Sequence, residues 1–248
     1  MSFLAGLQAF GKSILGPVVQ IATMAFIAKQ MANNTTPENQ IESQPNIDQG
    51  VRLQIEPDAS NKIPVLYGTA YFGGIITDAV MTNTNKTMFY CLTLSEKTGT
   101  KLSDGQASDY VFKDVYWNDQ RIVFKSDGIT VDYTLDRQGN QDISLRDQVK
   151  VYCYKGNSSS GVVPENYTGT VPNAFDIMPN WASATHAMND LLFAVVRVDY
   201  NRDKNVTGLG DMLFHIQNNM YLPGDCLYDY MTNTRYGAGI SASEIYTS

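Results

Sequence analysis

Few residues in this chain are suited to chemistry: two histidines, His186 and His215, and three cysteines, Cys91, Cys153 and Cys226, among 248 residues. A thiolate activated by an imidazole is the reaction such types could support. Cys91 and Cys153, however, each lie inside an apolar run, where cysteine usually serves as a small buried hydrophobe. Their odd count and wide spacing match neither a disulfide framework nor a metal pattern. Asp199-x-Asn201-x-Asp203 has the opening spacing of a calcium loop. Its sixth position is Lys204 rather than the turn-forming Gly, and its twelfth is Gly210 rather than a bidentate Glu. A tight charged hairpin turn is the better account. No G-x-S-x-G, H-E-x-x-H or G-x-x-x-x-G-K-[ST] occurs. Paired carboxylates can always be found among 25 acids, so they decide nothing. The expectation is a protein that is not an enzyme, with no catalytic residue, metal ligand or cofactor.

With chemistry set aside, composition bounds the class. Hydrophobic residues make up 43% and aromatics 11%, enough for a folded core, and 15 tyrosines with many Asn and Thr suit a turn-rich β-protein. The net charge of −7 argues against a surface that neutralises phosphates. It would suit a channel through which DNA slides without sticking, or simply a soluble protein.

The elements that must position these residues fall into four regions. Residues 1–34 are predicted to form an apolar helix. Phe3, Leu7, Phe10, Ile14, Pro17, Ile21, Met24 and Ala28 alternate spacings of four and three, a heptad-like seam, with a kink at Gly16-Pro17. Export and membrane readings fit less well. No positive charge precedes Lys12, no clean cleavage site follows Ala28, and residues 13–28 are short for a span and contain Gln20 and Thr23. Phe3, Leu7, Phe10, Ile14, Ile21 and Met24 are therefore the candidate partner-binding residues. Residues 35–60 read as a polar linker or arm with a short strand at 51–55. Residues 61–222 form a β-rich region with a candidate insertion at about 126–180. Residues 223–248 hold a short helix and an exit segment, with Asp225 as its N-cap and Leu222 and Leu227 pinning its start.

Within the β-rich region, residues 62–99 read as strand, glycine kink, strand, polar turn, strand, with Gly73 and Gly74 at the kink and 83–86 at the turn. Strands follow at 110–116, 121–124, 129–135, 149–154, 192–198 and 212–217. Residues 155–162 form a flexible tip, and the prolines of 163–180 mark a loop. The run 192–198 reads as an almost continuously apolar strand.

Three phrases resemble one family. Ile63, Pro64, Val65, Tyr67, Gly68, Gly73 and Gly74, followed by Leu92, Leu94, Ser95 and Glu96, form the first. Trp181, Thr185, His186, Ala194, Val196, Arg197, Tyr200 and Asp203 form the second. The third is Leu227-Tyr228-Asp229, Thr232-Asn233 and Tyr236-Gly237-x-Gly239, preceded by Leu-Pro-Gly-Asp where the family usually has Asn-Pro-Ala. In this order they are similar to the hub proteins at the distal end of bacteriophage tails, including tail-tip attachment proteins of the phage lambda type and baseplate hubs. The resemblance covers residues 62–240 and leaves the N-terminal helix outside.

That resemblance implies a mainly β fold, a barrel or sandwich-like tail-hub domain. It implies a structural virion protein at the distal end of the tail, three copies of which mate with a six-fold tube ring. The implied partners are the tail tube or distal tail ring, the tape measure protein and a receptor-binding fibre or spike. DNA would pass through the lumen without specific binding, and membrane contact would occur only at the host end. Relatives usually continue into further domains, so a chain ending at Ser248 is expected to be a fragment or a short hub. The alternative is a secreted β-rich carbohydrate-binding or cell-wall-degrading protein whose first residues are an export segment.

Overall fold

A computed structural model describes residues 51–52 and 61–245. The predicted helix over residues 1–34, its six candidate contact residues and most of the 35–60 arm lie outside the described residues. The fold is mainly β, built from two sheets. The first runs β1 (Val51–Arg52), β2 (Thr69–Phe72), β12 (Met212–Asn218), β5 (Tyr110–Trp117), β6 (Gln120–Phe124), β7 (Val131–Leu135) and β8 (Gln141–Asp142). The second runs β10 (Gly161–Val162), β9 (Val149–Lys155), β11 (Leu191–Asp199), β4 (Thr87–Glu96) and β3 (Ile75–Thr82). All pairings are antiparallel except β1 with β2. Neither sheet closes on itself, so the barrel half of the sequence expectation gives way to a sandwich.

Alternation explains the sandwich. Phe112, Val115 and Trp117 of β5, with Met212, Phe214 and Ile216 of β12, face Leu92 and Leu94 of β4 and Val149, Val151 and Cys153 of β9 in one core. Strand β11 contributes Leu192, Ala194, Val196 and Val198 to that core. Its alternate residues Phe193 and Val195 join a second core with Phe89, Cys91, Tyr152 and Tyr154. Residues 163–190 cover this second face with Ala174, Met178, Trp181 and Met188, using one turn of helix, α1 (Ala174–Ile177). The almost continuous apolar run thus reflects a strand buried on both sides.

Local chemistry sets the turns. Gly74 has φ +78, and a Cβ there would stand 2.8 Å from Leu94 Cδ2, so the kink needs glycine on both counts. That kink moves the chain from one sheet to the other between β2 and β3. Asn118 and Asp119, at φ 49 and 62, make the two-residue β5–β6 hairpin turn. Asn83, Thr84 and Asn85 are also left-handed in the β3–β4 turn.

Three strand expectations need correction. Residues 63–68 do not form a strand, and Val65 makes a single bridge to Glu96. Pro64 lacks an N–H, and the chain there crosses the end of the sandwich instead of joining a ladder. The strand expected at 129–135 begins at Val131, because Asp127 draws the Ile129 and Thr130 N–H groups into a turn. The expected tip at 155–162 folds back, pairing β10 with Cys153 and Tyr154.

Candidate functional site

Helix α2 (Pro223–Thr232) docks on the end of the sandwich, where residues separated by most of the chain meet. Sheet ends supply the platform. Glu96 N donates to Pro64 O at 2.9 Å and Leu66 N to Ser95 Oγ at 2.9 Å, which ties the first phrase to the end of β4. Asn218, fully buried at the end of β12, donates to Leu66 O at 2.7 Å and to Thr98 Oγ1 at 2.9 Å. Its Oδ1 accepts from Met220 N, so each polar atom of the side chain has a partner. Tyr110 OH accepts from Thr98 N at 2.7 Å and closes this network.

Onto this platform α2 presents two carboxylates one turn apart. Asp229 is 4% exposed: its Oδ1 accepts from Gly99 N at 2.8 Å, and its Oδ2 from Tyr67 OH at 2.7 Å and Tyr236 OH at 2.6 Å. Asp225, equally buried, accepts from Ser103 N at 2.8 Å and Ser103 OH at 2.7 Å. Arg235 completes the clasp, with Nη2 2.9 Å from Glu96 Oε2 and Nη1 3.3 Å from Asp190 Oδ2. Burial, and then the bond to Asp229, pushes the Tyr67 and Tyr236 phenols up beyond their ordinary range. The Ser103 bonds hold Asp225 below the usual carboxylate range. Burial pushes Glu96 up, and Arg235 opposes it. With Asp229 engaged by three donors and both phenols harder to ionise, the arrangement holds a helix rather than moving a proton.

The helix itself corrects two sequence readings. Its N-cap is Leu222 with Pro223 at the first turn, so Asp225 is no cap; its carboxylate points inward to Ser103. Leu222 and Leu227 do not pin the helix, being 44% and 59% exposed. After the helix, Asn233 Oδ1 accepts from Arg235 N at 2.8 Å, and Gly239 takes φ +66. Gly237 is required for another reason: a Cβ there would lie 1.9 Å from Tyr230 O.

Of the chemistry-bearing residues Cys226 alone lies on α2, its Sγ 3.8 Å from Met220 O, while both histidines lie elsewhere and the buried His215 Nδ1 has no hydrogen-bond partner among the described residues. His186 Nδ1 accepts from Ala182 N at 3.1 Å, which puts the proton of a neutral imidazole on Nε2, and its ring stacks on Trp181. Trp181 Nε1 donates to Asp78 Oδ2 at 2.7 Å, so the second phrase is a clip that fastens the covering loop to β3. His215 stacks on Tyr71, with Nδ1 3.6 Å from Asp114 Oδ2. Neither histidine has a cysteine among its hydrogen-bond or ring partners. Asp199 binds Arg197 and the Thr87 hydroxyl, and Asn201 bridges Val206 across a short hairpin. Among the described residues no three His, Cys, Asp or Glu side chains are grouped to hold a metal.

Asn218, Thr98, Ser103 and Asp225 went unread as site residues in the sequence. The one signal for Asn218 was its place directly after an alternating strand, which a chain so rich in Asn makes faint. No protein-family model matches the chain, and no curated protein matches it.

Proposed function

We propose that the chain is a structural hub subunit of a phage tail tip or baseplate, acting as a homotrimer that closes or extends the tail tube. In this role it anchors a receptor-binding fibre or spike and forms part of the conduit for the genome. One observation carries the reading: residues that bear the resemblance, far apart in sequence, form one clasp. Tyr67 and Tyr236 share Asp229, and Ser95 and Glu96 hold the 64–66 segment that leads to Tyr67. A shared set of letters has a physical reason to stay together when those letters bond to each other. The mainly β sandwich supports a structural part, as does a clasp whose acids and phenols are committed to one another.

The test is to raise antibody to the full chain and apply it to purified phage particles from the source culture, with electron microscopy of labelled tails. Labelling at the distal end of the tail is expected, with the chain present near its full mass. Its absence from tails would overturn the proposal. Secretion with cleavage near Ala28 and binding to glycan or peptidoglycan would support the secreted alternative instead.

A further inference from the structure

A sheet edge presents a row of backbone N–H and C=O groups that another strand can pair, and folded proteins keep such edges short, charged or covered. Among the described residues three of the sheet edges are short: β1, β8 and β10 have 2 residues each. The remaining edge is β3, with 8 residues, and it pairs with β4 on one side only. Among the described residues no backbone–backbone bond outside the β3–β4 ladder involves residues 75–81. The strand also lacks the usual protection of an edge. It holds no Lys, Arg or Pro, and its single charge, Asp78, is engaged by Trp181 Nε1 at 2.7 Å. A bulge interrupts the pairing between Ile76 and Asp78, which leaves residues 78–82 as the regular stretch.

The strand that fits this edge must match two faces at once. Val80 packs with the second core and Met81 with the first, so apolar side chains are wanted on both sides of an added strand. A second copy of residues 78–82 supplies them when it lies antiparallel with Val80 opposite Val80. A twofold axis through that pair then relates the two strands, all of the regular stretch is paired, and each face meets its own kind. Asp78 comes to lie opposite Thr82 of the other copy, an acid against a hydroxyl, and Ala79 opposite Met81, small against large. The two Asp78 residues stand about 14 Å apart along the strands, beyond the screening length in physiological salt. Centring the pair on Asp78 instead would oppose two carboxylates, and any other centre leaves part of the stretch unpaired.

We propose that β3 is a docking edge for a second copy of this chain: two β3 strands join antiparallel, Val80 against Val80, and the second sheets of the two copies run on as one. So short a ladder buries little area, which makes the pair weak and reversible. The inference does not rest on the hub reading, because a twofold contact can coexist with a threefold ring in a dihedral assembly.

Disulfide trapping in the full-length chain tests it. Cys226→Ser is kept in the background so that this half-buried thiol takes no part, and Cys91 and Cys153 are buried. Directly opposed strand residues have Cβ atoms about 4.5–5.5 Å apart, so Val80→Cys should give, under mild oxidation, a product of twice the chain mass on non-reducing gels. Thr77→Cys is exposed on the same strand but far from its counterpart in this register, and should stay at the mass of one chain. Ala79→Lys places the charge that natural edges use on a side chain outside both cores. It should weaken self-association at least tenfold in sedimentation, with the β circular dichroism retained. No crosslink at Val80→Cys, equal crosslinking of both cysteines, a full-length chain that is monomeric at millimolar concentration, or association unchanged by Ala79→Lys would overturn the inference. These measurements use the purified chain, so absence of the protein from tails would defeat the hub reading without altering them.

Discussion

Replacing Asp229 probes the clasp most directly. Three donors converge on its carboxylate, at 2.6–2.8 Å, in a site where Asp229 is 4% exposed. Hydrogen bonds to a charged group contribute about 1.5–3 kcal/mol each. Tyr67 and Tyr236 are half-buried, so water recovers part of their loss and the lower end applies to them. Asp229→Ala should therefore cost about 4.5–6 kcal/mol, a large part of the roughly 10 kcal/mol that holds a domain together. Asp229→Asn can turn its carbonyl to the Gly99 N–H and donate its amide hydrogens to both phenols. It keeps the partners and loses only the charge, for about 1–2 kcal/mol. Urea unfolding followed by circular dichroism and by the fluorescence of Trp117 and Trp181 measures both. If α2 undocks before the sandwich melts, the Ala variant shows the smaller docking energy, with the two probes no longer coincident. An Ala variant within about 0.5 kcal/mol of the parent by both probes would refute the claim that Asp229 fastens the helix.

Gly237→Ala should destabilise by about 2–4 kcal/mol, because its Cβ would meet Tyr230 O, and Gly239→Ala by about 1 kcal/mol through its left-handed φ; equal tolerance in thermal melts would contradict that ordering. Asp225 and Asp136 are held below the usual carboxylate range by hydrogen bonds from Ser103 and Asn140. In Asp127, burial works the other way and is outweighed by bonds from Ile129 and Thr130. Depressed carboxylates stabilise above their unfolded pKa of about 3.9, so stability should fall as pH drops below about 4. Stability that stays flat from pH 6 to 2 would refute this. Burial pushes the Cys91 thiol up to about 12 and Cys153 further, so neither should react with a thiol reagent at pH 8 until the protein unfolds; two or more thiols titrating in the native protein would be inconsistent with the fold. Amides of α2 should exchange with deuterium well before those of β11, which is buried on both faces; equal protection in the isolated chain would count against docking by polar contacts alone.

The strands were legible because their information is local. Alternation in β5 and β12, and the apolar run of β11 broken only by Arg197, state which faces are covered, and the structure covers those faces. The bend at Gly73-Gly74 could be anticipated, but its destination could not: a kink's direction is set by what packs against it, here Leu94 from another strand. The clasp was legible only as letters of a resemblance. Asp229 is one of 25 acids, and nothing within a turn of it in the sequence shows that Tyr67 will supply a hydroxyl from 162 positions away. Asp225 misled for a related reason. An acid near a helix start is a good cap only when its side chain is free, and Ser103 claims it from across the fold.

The polarity of α2 sets how the helix is held. A ten-residue helix is too short to persist alone in water, so its neighbours must hold it. Most short helices are held by their apolar side. This one is held by directional bonds from Ser103, Gly99, Tyr67 and Tyr236, which fix its register. Docking by those bonds leaves the apolar side free. Roughly 400–500 Å2 of apolar surface at about 25 cal/mol/Å2 is about 10 kcal/mol of gross stabilisation that the isolated domain forgoes. Association consumes a large share of such a sum in lost freedom and ordering, so it does not convert directly into affinity. Polar docking thus holds the helix in place while Leu227 and Tyr230 stay exposed.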